Sequence, residues 1–138
     1  MSEGQGLISK LNEMLSQEHA CMIRYATHAA VITGPNAETI SARLKEISSD
    51  EAKHAMTLRD RIVALGGKPT MNVNIKDLQE AYDLAKILQI NMREEADAIA
   101  HYTEILESIP ENDVILYEAI RDIIADEQEH LEELTKLR

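Results

Sequence analysis

The chemistry this sequence can offer lies mainly in glutamate and histidine. Glu18 falls between Met14 or Leu15 and Met22, and Glu51 and His54 fall between Ile47 and Leu58. Glu94 falls between Leu88 and Ala98, and Glu127 and His130 between Ile123 and Leu134. Residues three and four apart share one face of a helix, so all six are expected to point inward with the apolar residues around them. Four buried carboxylates repel one another and lose their hydration, which is costly unless opposite charge is present. Two divalent cations supply that charge, +4 against -4, while two neutral imidazoles add donors without charge. Carboxylate and imidazole donors suit iron or manganese, and zinc and cobalt are chemically compatible.

Spacing makes the case stronger than residue type. Glu-x-x-His occurs at Glu51/His54 and again at Glu127/His130. A glutamate from each of two helices, with Glu-x-x-His from each of two others, is the ligand pattern of di-iron bundles. One such motif proves little, because motif matches arise by chance. Here the register repeats: Glu18 and Glu94 are 76 residues apart, and so are Glu51 and Glu127, and His54 and His130. Asn36/Asn112, Asp50/Asp126 and Leu58/Leu134 keep the same offset. The sequence therefore reads as a duplicated helical hairpin, whose halves would bring two ligand sets together around a pseudo-two-fold axis.

Helices must carry these residues. Thr33-Gly34-Pro35-Asn36, Gly66-Gly67-Lys68-Pro69 and Ile109-Pro110-Glu111-Asn112-Asp113 are stop and start signals. They predict helices over about 5–33, 37–65, 78–108 and 113–137, with Asp77 and Glu80 as a capping pair opening the third. Each segment has an apolar stripe at helical spacing; the one stretch that could alternate as a strand does lies near Met71–Ile75. The first and third connections are short, so their helices pack antiparallel. The middle one, about 66–77, spans roughly 40 Å when extended, the height of a 26-residue helix. The expectation is one all-α domain over 1–138, a four-helix bundle running up-down-down-up.

Composition narrows the function classes. The chain has 138 residues and a net charge of -11, which speaks against a nucleic-acid partner. No apolar run approaches a membrane span, and the N-terminus lacks the basic and apolar regions of a signal peptide. Cys21 is the one cysteine, so no internal disulfide forms and a reducing, cytoplasmic setting is expected.

Other polar residues lie close to the ligand pattern. Tyr25 follows Glu18 by seven residues and His101 follows Glu94 by seven; each is a candidate to touch a ligand, and Tyr102 is similar. Asp50 and Asp126 precede the ligand glutamates and can reach a histidine. His19 and His28 are expected at the surface.

Together, Glu18, Tyr25, Asp50-Glu51-Ala52-Lys53-His54, Glu94 and Asp126-Glu127-Gln128-Glu129-His130 resemble the ferritin-like superfamily, bacterioferritins most closely. The resemblance covers nearly the whole chain. It implies that Glu51 and Glu127 bridge two iron ions, with Glu18 and His54 completing one shell and Glu94 and His130 the other. It implies oxidation of Fe2+ to Fe3+ by O2 or H2O2, and homo-oligomers of at least two chains. It also implies iron storage in a cage and a haem held by a methionine. Ala52 stands at the methionine position, which speaks against the haem. The fifth helix that the resemblance implies is missing after Arg138, so the cage stays open. The leading expectation is a ferroxidase serving iron homeostasis. The alternatives are a peroxidase or a manganese-catalase-like enzyme on the same dimetal site, or a non-catalytic, metal-stabilised bundle.

Overall fold

A computed structural model describes residues 2–138. Four helices make up the bundle: α1 (Glu3–Val31), α2 (Ala37–Ala64), α3 (Leu84–Ser108) and α4 (Val114–Leu137). They run up, down, down and up, as expected. One 3₁₀ turn, Ile75–Asp77, interrupts the crossover between α2 and α3. Among the described residues, no helix is long and apolar enough to cross a membrane.

Helix ends follow local chemistry. Ser2 and Gln5 form a capping box at the start of α1, each side chain bonding the other's backbone N–H at 3.2 Å. Asp83 caps α3 by accepting from Lys86 N at 2.9 Å, and Asp113 caps α4 by accepting from Leu116 N at 3.1 Å. Gly66 takes φ 87°, the left-handed conformation that ends α2 without a Cβ penalty. A Cβ on Gly67 would lie 2.7 Å from Ile8 Cγ2, so glycine lets the crossover leave tight against α1.

Two expectations need correction. The third helix opens at Leu84, with Asp83 as its cap, instead of near residue 78 with Asp77 and Glu80. Met71–Ile75 forms no strand. Both have one cause: beside its own short turns, the crossover is hydrogen-bonded along its length to α1. Asn12 Nδ2 donates to Lys68 O, and Thr70 N donates to Asn12 Oδ1. Asn74 N donates to Ser16 O, and His19 Nδ1 lies 2.7 Å from Asn72 O. Arg24 donates to Asp77 O, and His28 Nε2 contacts Gln79 O. The crossover thus climbs along α1 and reaches the top of the bundle before α3 begins.

The apolar core has two parts. One joins Leu11, Leu58, Ile62, Ile105, Leu116 and Ile120; the other joins Ile32, Ile40, Leu44, Ile87, Leu88 and Leu134. Between them lies a layer of buried acids and histidines.

Candidate metal centre

Each helix contributes to that layer. Glu18 comes from α1, Glu51 and His54 from α2, Glu95 from α3, and Glu127 and His130 from α4; all six are buried, none more than 4% exposed. Helical spacing is the reason. On α2 and α4 the Glu-x-x-His step puts both side chains on one inward face.

The structure brings together five of the six residues expected from sequence. The sixth, Glu94, is half-buried outside the layer and accepts from Gln79 Nε2 at 2.8 Å. Its neighbour Glu95 takes the inward place, 1% exposed. The offset of 76 holds between α2 and α4, but between α1 and α3 it is 77. Leu11/Leu88, Tyr25/Tyr102 and Ile32/Ile109 share this offset, and all six residues are buried. The second hairpin has one residue fewer between its inward glutamates, 32 from Glu95 to Glu127 against 33 from Glu18 to Glu51, so Glu18 corresponds to Glu95. Tyr102, two turns beyond Glu95, was the available signal. His101 accordingly lies exposed, away from the layer, and Tyr102 is the buried residue. His28, expected at the surface, is buried.

Donor atoms converge in two overlapping groups: Glu18, Glu51, His54 and Glu127; and Glu51, Glu95, Glu127 and His130. Within each group the atoms lie within 4.8 Å of one another. His54 Nδ1 is 3.0 Å from Glu51 Oε1 and 3.3 Å from both Glu18 Oε2 and Glu127 Oε1. His130 Nδ1 is 3.3 Å from Glu127 Oε1 and 3.4 Å from Glu95 Oε2. None of these approaches has hydrogen-bond geometry. Both oxygens of Glu51 and of Glu127, one each of Glu18 and Glu95, and both Nδ1 atoms are buried without a partner. Buried polar atoms are seldom left so. Donors about 2.1 Å from a shared ion lie roughly 3 Å apart, which is the spacing here. The residues therefore fit two cations, with Glu51 and Glu127 common to both positions.

The outward ring nitrogens are held crosswise. His54 Nε2 is 2.9 Å from Asp126 Oδ2 on α4, and His130 Nε2 is 2.9 Å from Asp50 Oδ2 on α2. A carboxylate accepts, so each Nε2 carries a proton, and Nδ1 is the inward nitrogen that would be free to ligate once its own proton is displaced. Tyr25 Oη donates to Glu95 Oε1 at 2.9 Å. Beside it, the buried Arg24 guanidinium donates to Asn91 Oδ1 at 2.9 Å and lies 5.4 Å from the Tyr25 ring centre. Asn91 Nδ2 in turn bonds His28 Nδ1. This network ties α1, α3 and the crossover together behind Glu95. Sequence reading did not find it, because arginine and asparagine on an apolar stripe carry no motif.

Without cations the layer holds protons. Burial and the charge of Glu51 push Glu18 up to about 7. Burial and Glu127 push Glu51 up to about 8, and burial and Glu51 push Glu95 up to about 7. Burial alone would lower His54 and His130, but the surrounding carboxylates outweigh it and raise both, His130 to about 11. The folded chain thus keeps protons that the unfolded chain releases above about pH 4.5 for the acids and 6.5 for the histidines. Stability carried by these groups is complete below those values and is lost as pH rises through the folded values. The melting temperature of the metal-free protein is expected to fall steadily from pH 5 to pH 8.5 in a calorimeter. A flat or rising profile would contradict the protonated layer. Cations bound here would have to displace these protons, so metal affinity is expected to rise over the same range.

A contrast between neighbours tests the register. Glu95→Gln is expected to weaken one of the two cation positions at least as much as the roughly 10–100-fold seen when outer partners of ligands are lost. Glu94→Gln should stay within about twofold of the parent. Zinc titration calorimetry on both variants checks this; equal effects would return Glu94 to the site.

A family model described as a ferritin-like domain matches residues 8–138. A bacterioferritin of Brucella melitensis is 25% identical over 127 residues, covering 91% of this chain and 78% of its own length. The structure is similar to that of a ferritin-like, diiron-carboxylate protein from Bacillus anthracis, with a TM-score of 0.93, 32% identity and 99% of both chains covered. It is also similar to a dodecameric thioferritin, the bacterioferritin-related protein of Bacteroides fragilis, with a TM-score of 0.87, 27% identity, and 96% of this chain and 84% of that one covered.

Proposed function

For a chain that belongs to the ferritin-like family and gathers four carboxylates and two imidazoles in its core, we propose a ferroxidase: two Fe2+ ions bind and are oxidised to Fe3+ by O2 or H2O2. The observation that carries this reading is the set of eight ligand-type atoms buried without a hydrogen-bond partner. A site built for protons alone would satisfy them.

The residues divide the work. Glu51 and Glu127 reach both positions, and their two oxygens each let them span two ions. Glu18 and His54 complete one position, and Glu95 and His130 the other. Asp126 and Asp50 hold the imidazoles in the tautomer that offers Nδ1 inward. Four carboxylates balance two ferrous ions but leave positive charge unneutralised when both are ferric, which favours release or transfer of the product. Bound iron supplies the redox change, and the protein supplies geometry and charge. With peroxide the balance is 2 Fe2+ + H2O2 + 2 H+ giving 2 Fe3+ + 2 H2O. With dioxygen it is 2 Fe2+ + O2 + 2 H+ giving 2 Fe3+ + H2O2.

The likeness to a dodecameric relative supports a homo-oligomer. The single buried Cys21, with no disulfide to form, supports a cytoplasmic setting. Anaerobic titration with Fe2+ tests the function: two ions bind per chain, and admitting O2 produces a ferric absorbance with O2 consumed. Binding of two ions with no O2 or H2O2 consumption would reject the ferroxidase. Sustained H2O2 turnover without net iron oxidation would select the peroxidase or catalase alternative.

A further inference from the structure

The two halves of the metal layer are not finished alike. On one side, Tyr25 Oη donates to Glu95 Oε1, leaving Glu95 Oε2 toward His130. On the other, Tyr102 is fully buried and its hydroxyl has no hydrogen-bond partner. Tyr102 follows Tyr25 by 77 residues, the offset that relates Glu95 to Glu18. The pseudo-two-fold relation that sets Tyr25 of α1 against Glu95 of α3 sets Tyr102 of α3 against Glu18 of α1. Glu18 turns Oε2 toward His54 Nδ1 at 3.3 Å, as Glu95 turns Oε2 toward His130 Nδ1 at 3.4 Å.

We propose that Tyr102 is a positioning residue for the Glu18–His54 position: its phenol donates to Glu18 when that position holds a metal ion, as Tyr25 donates to Glu95 on the other side. This rests on the dimetal reading above. A ligating carboxylate keeps a lone pair on its outer oxygen, and in a dry core that lone pair needs a donor. Here Tyr102 is the neutral donor placed to supply it. Each terminal glutamate would then be oriented by a tyrosine from the opposite hairpin, so the halves brace one another across the pseudo-two-fold axis.

The test uses the full chain with ¹⁵N-labelled histidine and Zn2+ as a diamagnetic probe. In the parent, His54 and His130 imidazole nitrogens both shift as two equivalents bind. In Tyr102→Phe, the His54 midpoint is expected to move to about tenfold higher free Zn2+, while the His130 midpoint stays. In Tyr25→Phe the pattern reverses. Phenylalanine keeps the buried ring, so the fold is retained. A near-ultraviolet difference spectrum adds a second readout: Zn2+ perturbs a tyrosine band in the parent that Tyr102→Phe lacks. An unmoved His54 midpoint, or equal movement of both histidines, would overturn the role of Tyr102 and leave the metal site standing. If neither histidine shifts in the parent, the dimetal reading falls and takes this assignment with it.

Discussion

Glu127→Ala is expected to strip the chain of both metal ions and to reduce iron oxidation to the rate of buffer alone. Glu127 belongs to both groups of converging atoms, and both its oxygens are buried without a partner. Alanine leaves one shared carboxylate where two ions need four negative charges between them. The ions then repel across a dry core with half their bridge gone. Losing a mere outer partner of a ligand weakens metal binding roughly 10–100-fold, so losing a group common to both positions should exceed that at each. Metal analysis after dialysis, with oxygen uptake on added Fe2+, reads both effects. Glu129→Ala, two residues away and exposed, is the control and should match the parent. Retention of two ions by Glu127→Ala would show that this carboxylate does not bridge.

Metal loading is expected to raise the melting temperature by roughly 10–30 °C at pH 7.5. A ligand that binds only the folded chain adds about 4 kcal/mol at a thousand times its dissociation constant. Two ions add about twice that. For a chain of this size each kcal/mol shifts the midpoint by roughly 2–4 °C. The metal-free layer starts from a disadvantage at this pH, because Glu18, Glu51 and Glu95 are losing the protons that made their burial tolerable. Cations remove that cost and add their own binding energy. Differential scanning calorimetry with Fe2+ under argon, or with Zn2+ in air, should show the rise, and a chelator should reverse it. A shift under about 3 °C at saturating metal would mean that the ions bind at the surface.

Much of this arrangement was legible in the sequence, for a reason that can be named. Glu51, His54, Glu127 and His130 lie on long uninterrupted helices between apolar neighbours, so helical period alone settles where they point. Glu18 was legible in the same way. Glu95 is hidden behind Glu94 because the offset of 76 that relates α2 to α4 points to Glu94, whereas one residue fewer in the second hairpin makes the offset between α1 and α3 77. The apolar stripe through Leu88, Asn91, Glu95, Ala98 and Tyr102 passes through Glu95, but Asn91 breaks it and hides the register. Asp77 and Glu80 match a capping box and so point to a start for α3 earlier than Leu84. In the fold, Arg24 captures Asp77 O and His28 contacts Gln79 O, so tertiary bonds override the local preference. Hydrogen bonds of that kind join residues some fifty positions apart and leave no periodic trace. The crosswise pairing of His54 with Asp126 and His130 with Asp50 is half legible: each aspartate's place beside a ligand glutamate lies in the sequence, but its reach to the opposite hairpin depends on how α2 and α4 pack.

The most direct test is anomalous diffraction from crystals grown with Fe2+ or Zn2+, recorded on both sides of the metal edge. The account predicts two peaks per chain in the bundle core, both touching Glu51 and Glu127, one flanked by Glu18 and His54 and the other by Glu95 and His130. A single peak, or peaks confined to the acidic surface with these side chains still bonded to protons, would contradict it.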